Sequence, residues 1–119
     1  SFKAGERLFA SGDPGDDLFL IRRGEIRIML PLAGNQYLHL ATFGRGDFFG
    51  EMSFLDHAPR SADAVALADT DVFVLSRERF DVLAAEHKRL GMTVLEGLAR
   101  ALAIRLRHTT AELRALQEA

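Results

Sequence analysis

Arg60 and Glu51 are the two charged side chains whose setting in the sequence best suits ligand chemistry. Both lie in the segment 48–62, which also contains the run Pro59-Arg60-Ser61. A planar guanidinium can pair bidentately with a phosphate, whereas an ionised glutamate only accepts hydrogen bonds and suits a sugar hydroxyl. The pair therefore predicts a ligand that combines an anionic group with hydroxyl groups.

Gly50 precedes a stretch compatible with one short helical turn. Glycine permits a close backbone approach, and the first N–H groups of a helix have no internal acceptor and can hold an anion. Taken alone, Arg60 and Glu51 are as typical of a solvated arginine and of a glutamate that stabilises a helix start. Their combination with Gly50, Pro59 and Ser61 favours an anion-binding site.

Alternation of apolar and polar residues, broken by glycine and aspartate, extends to about residue 76 and predicts short strands joined by tight turns. We expect a loop at 11–17 and strands over 18–22, 25–30, 36–43, 61–66 and 72–75. Many short strands with close turns favour a barrel or roll. Arg60, Ala62 and Ala64 are expected to share one face, where the alanines would leave room for a small ligand.

The pattern becomes helical at Ser76, a good N-cap residue. Phe80, Leu83 and Ala84 form the apolar face of a first helix, which is expected to loosen around 87–91. A longer second helix carries a stripe of leucines at helical spacing: Leu95, Leu98, Leu102, Leu106, Leu113 and Leu116. Such a stripe is typical of core packing. Because a small roll offers a terminal helix little core to cover, we favour a helix that mediates self-association of the chain or couples the domain to the rest of a larger protein.

Composition excludes several classes of function. The 119 residues are 48% hydrophobic and 27% charged, which is typical of a single soluble domain. The absence of cysteine excludes disulfides, thiolate zinc sites and cysteine nucleophiles. A net charge of −2 argues against nucleic-acid binding, and no apolar run is long enough for membrane insertion. Because the chain begins with serine and its first residues already resemble the approach to a strand, we expect a domain from a longer protein. No signal peptide is visible.

Catalysis and metal binding find no support in the sequence. The four histidines are scattered and lack the spacing that brings three ligands to one metal: His39, His57, His87 and His108. No Ser-His-acid order, P-loop or catalytic carboxylate pair is present. We therefore predict a protein that is not an enzyme and has no catalytic residue, metal or cofactor.

The segment 48–62 resembles the phosphate-binding cassette of cyclic nucleotide-binding domains. The resemblance extends over nearly the whole chain, including residues 2–6, the Gly12-Asp13 pattern and the strand end at 20–24. It implies a mainly β fold with C-terminal α structure, in which an antiparallel, jelly-roll-like β-roll is followed by two helices.

On this resemblance, the whole chain, 1–119, is one cyclic nucleotide-binding domain. The β-roll occupies 1–76 and contains the cassette at 48–62, and the C-terminal helices occupy 77–119.

The resemblance also assigns roles within the site. It implies that Gly50 and Glu51 contact the ribose, with Glu51 accepting a hydrogen bond from the 2′-hydroxyl. Arg60 would pair with the cyclic phosphate, and the backbone groups of Met52 and Ser53 would help to form the phosphate cradle.

Three further positions bear on the ligand. Ser61 beside Arg60 would complete the cradle, and serine rather than threonine there favours cAMP over cGMP. Arg100 is the candidate on the late helix for covering the base. Asp63 stands where the family more often has threonine or serine, and by strand alternation it is expected to face away from Arg60.

The function implied is a regulatory sensor in which cyclic nucleotide binding moves the C-terminal helices within a larger protein. We expect it in the cytoplasm, or on the cytoplasmic face of a membrane-bound parent. The amino-acid sequences of 43–51 and 60–66 are similar to those of domains appended to bacterial sulfate-permease-type transporters.

Two alternatives remain open. One is a degenerate, ligand-free domain that acts as a dimerisation or interaction module, with a homodimer formed through the C-terminal helix. The other is the sensor half of a transcription regulator, which would require a helix-turn-helix beyond Ala119.

For the cassette itself, we expect Arg60→Ala to leave the stability of the ligand-free domain almost unchanged.

Overall fold

Short strands precede the long helices in the computed structural model, which describes residues 1–118. The elements are β1 (Arg7–Phe9), β2 (Leu18–Arg23), β3 (Ile26–Leu32), β4 (Gln36–Phe43), β5 (Phe48–Phe49), α1 (Glu51–Asp56), β6 (Asp63–Ala66), β7 (Asp71–Leu75), α2 (Arg77–Glu86) and α3 (Lys88–Glu118). A 3₁₀ turn at Ala33–Asn35 joins β3 to β4. The chain divides into two compact units, Ser1–Arg79 and the residues from Phe80 onwards.

The strands of the first unit form two antiparallel sheets. One has the order β1-β6-β3-β4 and the other the order β5-β2-β7. Strands β3 and β4 pair along their whole length, from Ile26 opposite Phe43 to Leu32 opposite Gln36. The predicted antiparallel β-roll followed by C-terminal helices is confirmed, and the short helical turn expected after Gly50 is α1.

The core of the first unit lies between the inward faces of these sheets. Its buried cluster consists of Phe19, Ile21, Ile26, Phe49, Ala64 and Ala66. The rings of Phe19 and Phe49 stack with centroids 4.9 Å apart, and Phe9 contacts both. Ala64 is fully buried in this cluster. The expectation that it leaves room for a ligand is therefore wrong, because aromatic and aliphatic side chains occupy that space.

Strand boundaries follow the sequence prediction closely, with one consequential exception. The predicted strand at 36–43 is β4 without change, but the strand expected at 61–66 begins only at Asp63. Arg60 therefore precedes the strand, and strand alternation does not set its direction. The short strands β1 and β5 were not predicted as separate strands, because two or three residues are too few to show alternation.

The start of α2 is as predicted. Ser76 precedes the helix, and its Oγ accepts a hydrogen bond from the backbone N–H of Arg79 at 3.1 Å. The Arg77 guanidinium donates to the carbonyl of Phe54 in α1 at 2.7 Å and lies over its ring. These contacts fix the beginning of α2 within the first unit.

The expected loosening at 87–91 is wrong except at its first residue. Only His87 separates α2 from α3, and its N–H still donates to the Leu83 carbonyl. Gly91 is helical and buried, and a Cβ there would lie 2.6 Å from the Cβ of Ala84. A glycine in this sequence therefore permits close helix packing rather than breaking the helix.

The predicted leucine stripe lies on α3 but is not uniformly buried. Leu98 is buried, whereas Leu106, Leu113 and Leu116 are 67%, 60% and 74% exposed. Within residues 1–118, no helix is both long enough and apolar enough to cross a membrane.

Candidate ligand-binding site

Gly50 forms the junction between β5 and α1. It caps the N-terminus of α1 in the left-handed conformation, with φ +79°. A Cβ at this position would lie 2.9 Å from both the carbonyl oxygen of Asp17 and Nη1 of Arg60. Glycine is therefore required both by the backbone conformation and by the close approach of two neighbours.

Arg60 is a buried charged side chain of the first unit. It is only 5% exposed. Its Nη1 donates to the carbonyl of Gly50 and its Nη2 to the carbonyl of Asp17, both at 3.0 Å. The guanidinium carbon lies 4.5 Å from the centroid of the Phe9 ring and 5.6 Å from that of Phe19. Backbone dipoles and aromatic faces thus hold the cation in one position.

The backbone of Arg60 is held as firmly as its side chain. Its N–H donates to the carbonyl of Asp13 at 2.9 Å, and its carbonyl accepts from Gly12 at 2.7 Å. The guanidinium also lies against Gly15, where a Cβ would be 3.5 Å from Nη2. The loop between β1 and β2 therefore positions Arg60 from both ends.

Electrostatics around Arg60 act in opposite directions. Burial lowers the pKa of the Arg60 guanidinium, while the carboxylates of Asp17, Asp16 and Glu51 raise that pKa. An arginine remains protonated under all ordinary conditions. The site therefore contains a permanent cation with nearby carboxylates, and an anionic ligand must gain enough from the guanidinium and from backbone N–H groups to offset their repulsion.

The first turn of α1 places three predicted site residues next to Gly50. Glu51 is half-buried at the helix start, Met52 is exposed, and Ser53 is buried. The carbonyl of Ser53 accepts from the N–H of His57 at the other end of the helix. Helix geometry leaves the first backbone N–H groups of α1 without intrahelical acceptors, so they are suited to an anion.

Ser61 lies beside this turn. Its exposed hydroxyl donates to the sulfur of Met52 at 3.6 Å. The structure thus brings Ser61 to Met52 and Arg60 to Gly50, which joins the two ends of the 48–62 segment. Sequence spacing alone did not establish this closure.

Arg100 belongs to the second unit. Its exposed side chain pairs with Glu96, four residues earlier on α3, at 3.3 Å. Its role in covering a base stays a prediction.

Asp63 is buried, and its partners are on the β1 side. Its Oδ1 accepts from the N–H of Ser11 at 2.7 Å, and its Oδ2 lies 3.5 Å from the guanidinium of Arg7. These partners satisfy the carboxylate.

Sequence reasoning missed the residues that hold Arg60. Asp17 contributes a backbone carbonyl, which no residue type signals, and Phe9 and Phe19 contribute ring faces that also serve the core. Phe19 lies in the strand predicted at 18–22, whereas no alternation marked Phe9, because β1 has only three residues.

The family described as "Cyclic nucleotide-binding domain" matches residues 1–87. The chain is 41% identical over 112 residues to a protein named "Cyclic AMP receptor protein" from Thermus thermophilus, covering 94% of this chain and 50% of that protein.

Two solved structures are similar in both fold and sequence. A cyclic nucleotide-binding domain from Methylobacillus flagellatus has a TM-score of 0.84 and 39% identity, covering 89% of this chain and 60% of that one. The catabolite activator protein of Thermus thermophilus has a TM-score of 0.83 and 40% identity, covering 98% and 53%. The chain therefore spans about half the length of the Thermus relative.

Proposed function

Because this chain belongs to the cyclic nucleotide-binding domain family, we propose that it binds cAMP through the 48–62 segment and regulates a larger protein. The observation that carries the proposal is the fixed, buried guanidinium of Arg60 beside Gly50 at the start of α1. A cation held beside free helix N–H groups is suited to a phosphodiester anion. In this proposal the segment is a phosphate-binding cassette.

Arg60 retains donors for the phosphate. A guanidinium has five N–H groups, and the carbonyls of Gly50 and Asp17 accept from only two of its nitrogens. The backbone N–H groups of Met52 and Ser53 would add neutral donors. Together they would offset the repulsion from the neighbouring carboxylates.

Ser61 and Glu51 would bind the remaining polar groups. Sulfur is a weak acceptor, so the Ser61 hydroxyl loses little when it leaves Met52 for a phosphate oxygen. Glu51, at the first position of α1, would accept from the ribose 2′-hydroxyl, with Gly50 beside it. The preference for cAMP over cGMP rests on Ser61 through the family resemblance.

Calorimetric titration with cAMP and with cGMP tests binding directly. At 100 times its Kd, cAMP should stabilise the fold by ~2.7 kcal/mol, which raises the melting temperature by roughly ten degrees for a chain of this size. A melting temperature unchanged by millimolar amounts of either nucleotide would favour the ligand-free alternative.

Coupling to the C-terminal helices is the regulatory part of the proposal. Differential affinity for two arrangements would let the nucleotide shift α2 and α3, with Arg100 covering the base. Amide exchange should therefore change within 77–110 when cAMP is added. Changes restricted to the strands and α1 would argue against moving helices.

The larger protein is proposed to act in the cytoplasm, and this domain to have no catalytic activity of its own. The 41% identity to the Thermus cyclic AMP receptor protein favours the sensor half of a transcription regulator as the second candidate. The presence of a helix-turn-helix in the full-length sequence decides it. The transporter association stays a prediction, since none of the three relatives described above is named as a transporter.

A third candidate is self-association through α3. The exposed Leu106, Leu113 and Leu116 support a homodimer in which these side chains become buried. Sedimentation equilibrium with and without cAMP measures the dimer. A monomer at every concentration in both conditions would remove this candidate.

A further inference from the structure

A basic cavity lies on the first unit, outside the 48–62 segment. It has a volume of about 290 Å³ and is lined by Arg22, Arg23, Arg45 and Asp71. The first two residues end β2, and Asp71 begins β7. Gly46 donates to the carbonyl of Ile21 at 2.9 Å, which places the loop that carries Arg45 beside β2.

The charges of this cavity are not balanced. Asp71 binds Arg23 at 2.6 Å. Within residues 1–118, the side chains of Arg22 and Arg45 have no hydrogen-bond or ion-pair partner. The cavity therefore has two unpaired guanidinium groups in a chain whose net charge is −2.

An apolar strip adjoins the cavity on the same sheet. Leu20 is opposite Phe73 on β7 and opposite Phe48 on β5. Leu20 and Phe73 are 42% and 58% exposed. Because side chains two residues apart on a strand share a face, Arg22 and Leu20 lie on one surface. We call Leu20, Phe48, Phe73 and the cavity the β2 face.

We propose that the β2 face docks an acidic peptide segment of a partner protein, with carboxylates at Arg22 and Arg45 and an apolar side chain on Leu20 and Phe73. Guanidinium groups pair bidentately with carboxylates, and the apolar strip adds an area that a free anion cannot use. Two unpaired guanidinium groups are too few for the many phosphate contacts on which nucleic-acid binding depends. The proposal is independent of cyclic nucleotide binding. The β2 face and the cassette share only Phe48, which is the first residue of the cassette.

The test is a titration of the whole chain with a capped Asp-Glu-Asp-Phe-Leu peptide, followed by amide chemical shifts. Shifts should be confined to residues 20–23, 45–48 and 71–73, with a Kd of about 0.1–1 mM. The double variant Arg22→Glu/Arg45→Glu should bind about tenfold more weakly, and Phe73→Ala about threefold more weakly. A peptide with lysine in place of each acidic residue should cause no such shifts.

The matched control is Arg79→Glu/Lys88→Glu, which changes the net charge equally at exposed positions elsewhere. It should bind the acidic peptide within about twofold of the parent. Equal losses in the two double variants would mean nonspecific attraction and overturn the proposal. The absence of chemical-shift changes up to about 5 mM peptide would also overturn the proposal. Displacement of the peptide by an equal concentration of inorganic phosphate would overturn it as well, because it would indicate a site for small anions only. If the Arg22→Glu/Arg45→Glu variant still binds cAMP, its loss of peptide binding does not come from a damaged cyclic nucleotide site.

Discussion

Around Arg60 the protein buries a charged side chain and satisfies it, whereas along the second half of α3 it leaves apolar side chains exposed. The Arg60 guanidinium bonds two carbonyls and lies over aromatic rings. Leu106, Leu113 and Leu116 are each more than half exposed. Each region thus departs from the usual rule of apolar inside and charged outside, in opposite directions.

The difference shows that the contacts of Arg60 are all made within the described chain, whereas the exposed leucines of α3 have no such contacts to bury them. Burial of a cation is costly unless it is hydrogen-bonded, so the contacts around Arg60 form a prearranged site whose loss affects folding. Exposed leucines contribute little to the folding of one chain and gain burial only through association. The expectation that Arg60→Ala leaves the stability unchanged is therefore revised, because the structure shows Arg60 holding Gly50 and Asp17.

Arg60→Ala should have the largest effect. Removing the desolvated cation should weaken cAMP binding by ~2–5 kcal/mol, or about 1.5 to 3.5 decades of Kd. Leaving two carbonyls without their donor should also lower the free energy of unfolding by about 1–3 kcal/mol. Calorimetry and denaturant unfolding measure the two effects.

Arg79→Ala is the matched control, because that arginine is exposed, and both quantities should stay close to the parent values. If folded Arg60→Ala binds cAMP within about threefold of the parent, Arg60 does not hold the phosphate.

Gly50→Ala should come next. A left-handed conformation costs an alanine about 1–2 kcal/mol, and the new Cβ would also press on the Asp17 carbonyl and Arg60. Gly46→Ala is the matched control, since Gly46 has φ +87° and a Cβ there would meet no atom within 4 Å. Denaturant unfolding should show Gly50→Ala to be the more destabilising by at least about 1 kcal/mol. If the two variants lose equal amounts of unfolding free energy, the close contacts of Gly50 with Arg60 and Asp17 do not contribute to stability.

Glu51→Gln should have a smaller effect on binding. An amide oxygen still accepts from a hydroxyl, so only the charge-assisted increment of ~1 kcal/mol in cAMP affinity is lost. Glu78→Gln, at the equivalent first turn of α2, controls for the interaction of a glutamate with its helix. A loss in Glu51→Gln larger than that in Arg60→Ala would reverse the proposed ranking of phosphate and ribose contacts.

Leu113→Glu should have the smallest effect on folding. Because this side chain is exposed, the free energy of unfolding of the monomer should change by less than about 0.5 kcal/mol, while any dimer should dissociate in sedimentation. Leu98→Ala, at a buried position of the same stripe, should cost about 2–5 kcal/mol. A large loss of monomer stability in Leu113→Glu would show that α3 packs within its own chain at this position.

Much of the local structure was predictable because its signals are local. The alternation at 36–43 gave the whole of β4, and the hydroxyl of Ser76 marked the start of α2. The loosening expected at 87–91 is wrong beyond His87, because a glycine that breaks a helix and one that permits close helix packing look identical in sequence. Only the position of Ala84 distinguishes them.

By itself the sequence determined the β-roll, the helices that follow it and the segment that carries Gly50, Glu51 and Arg60, since period, turn residues and motif spacing are properties of neighbouring residues. Only the tertiary structure decided that Arg60 is buried and which groups hold it. Its acceptor on Asp17 is a backbone carbonyl 43 residues away. Every residue offers such a carbonyl, so side-chain chemistry cannot mark it, and only the folding of the chain selects it.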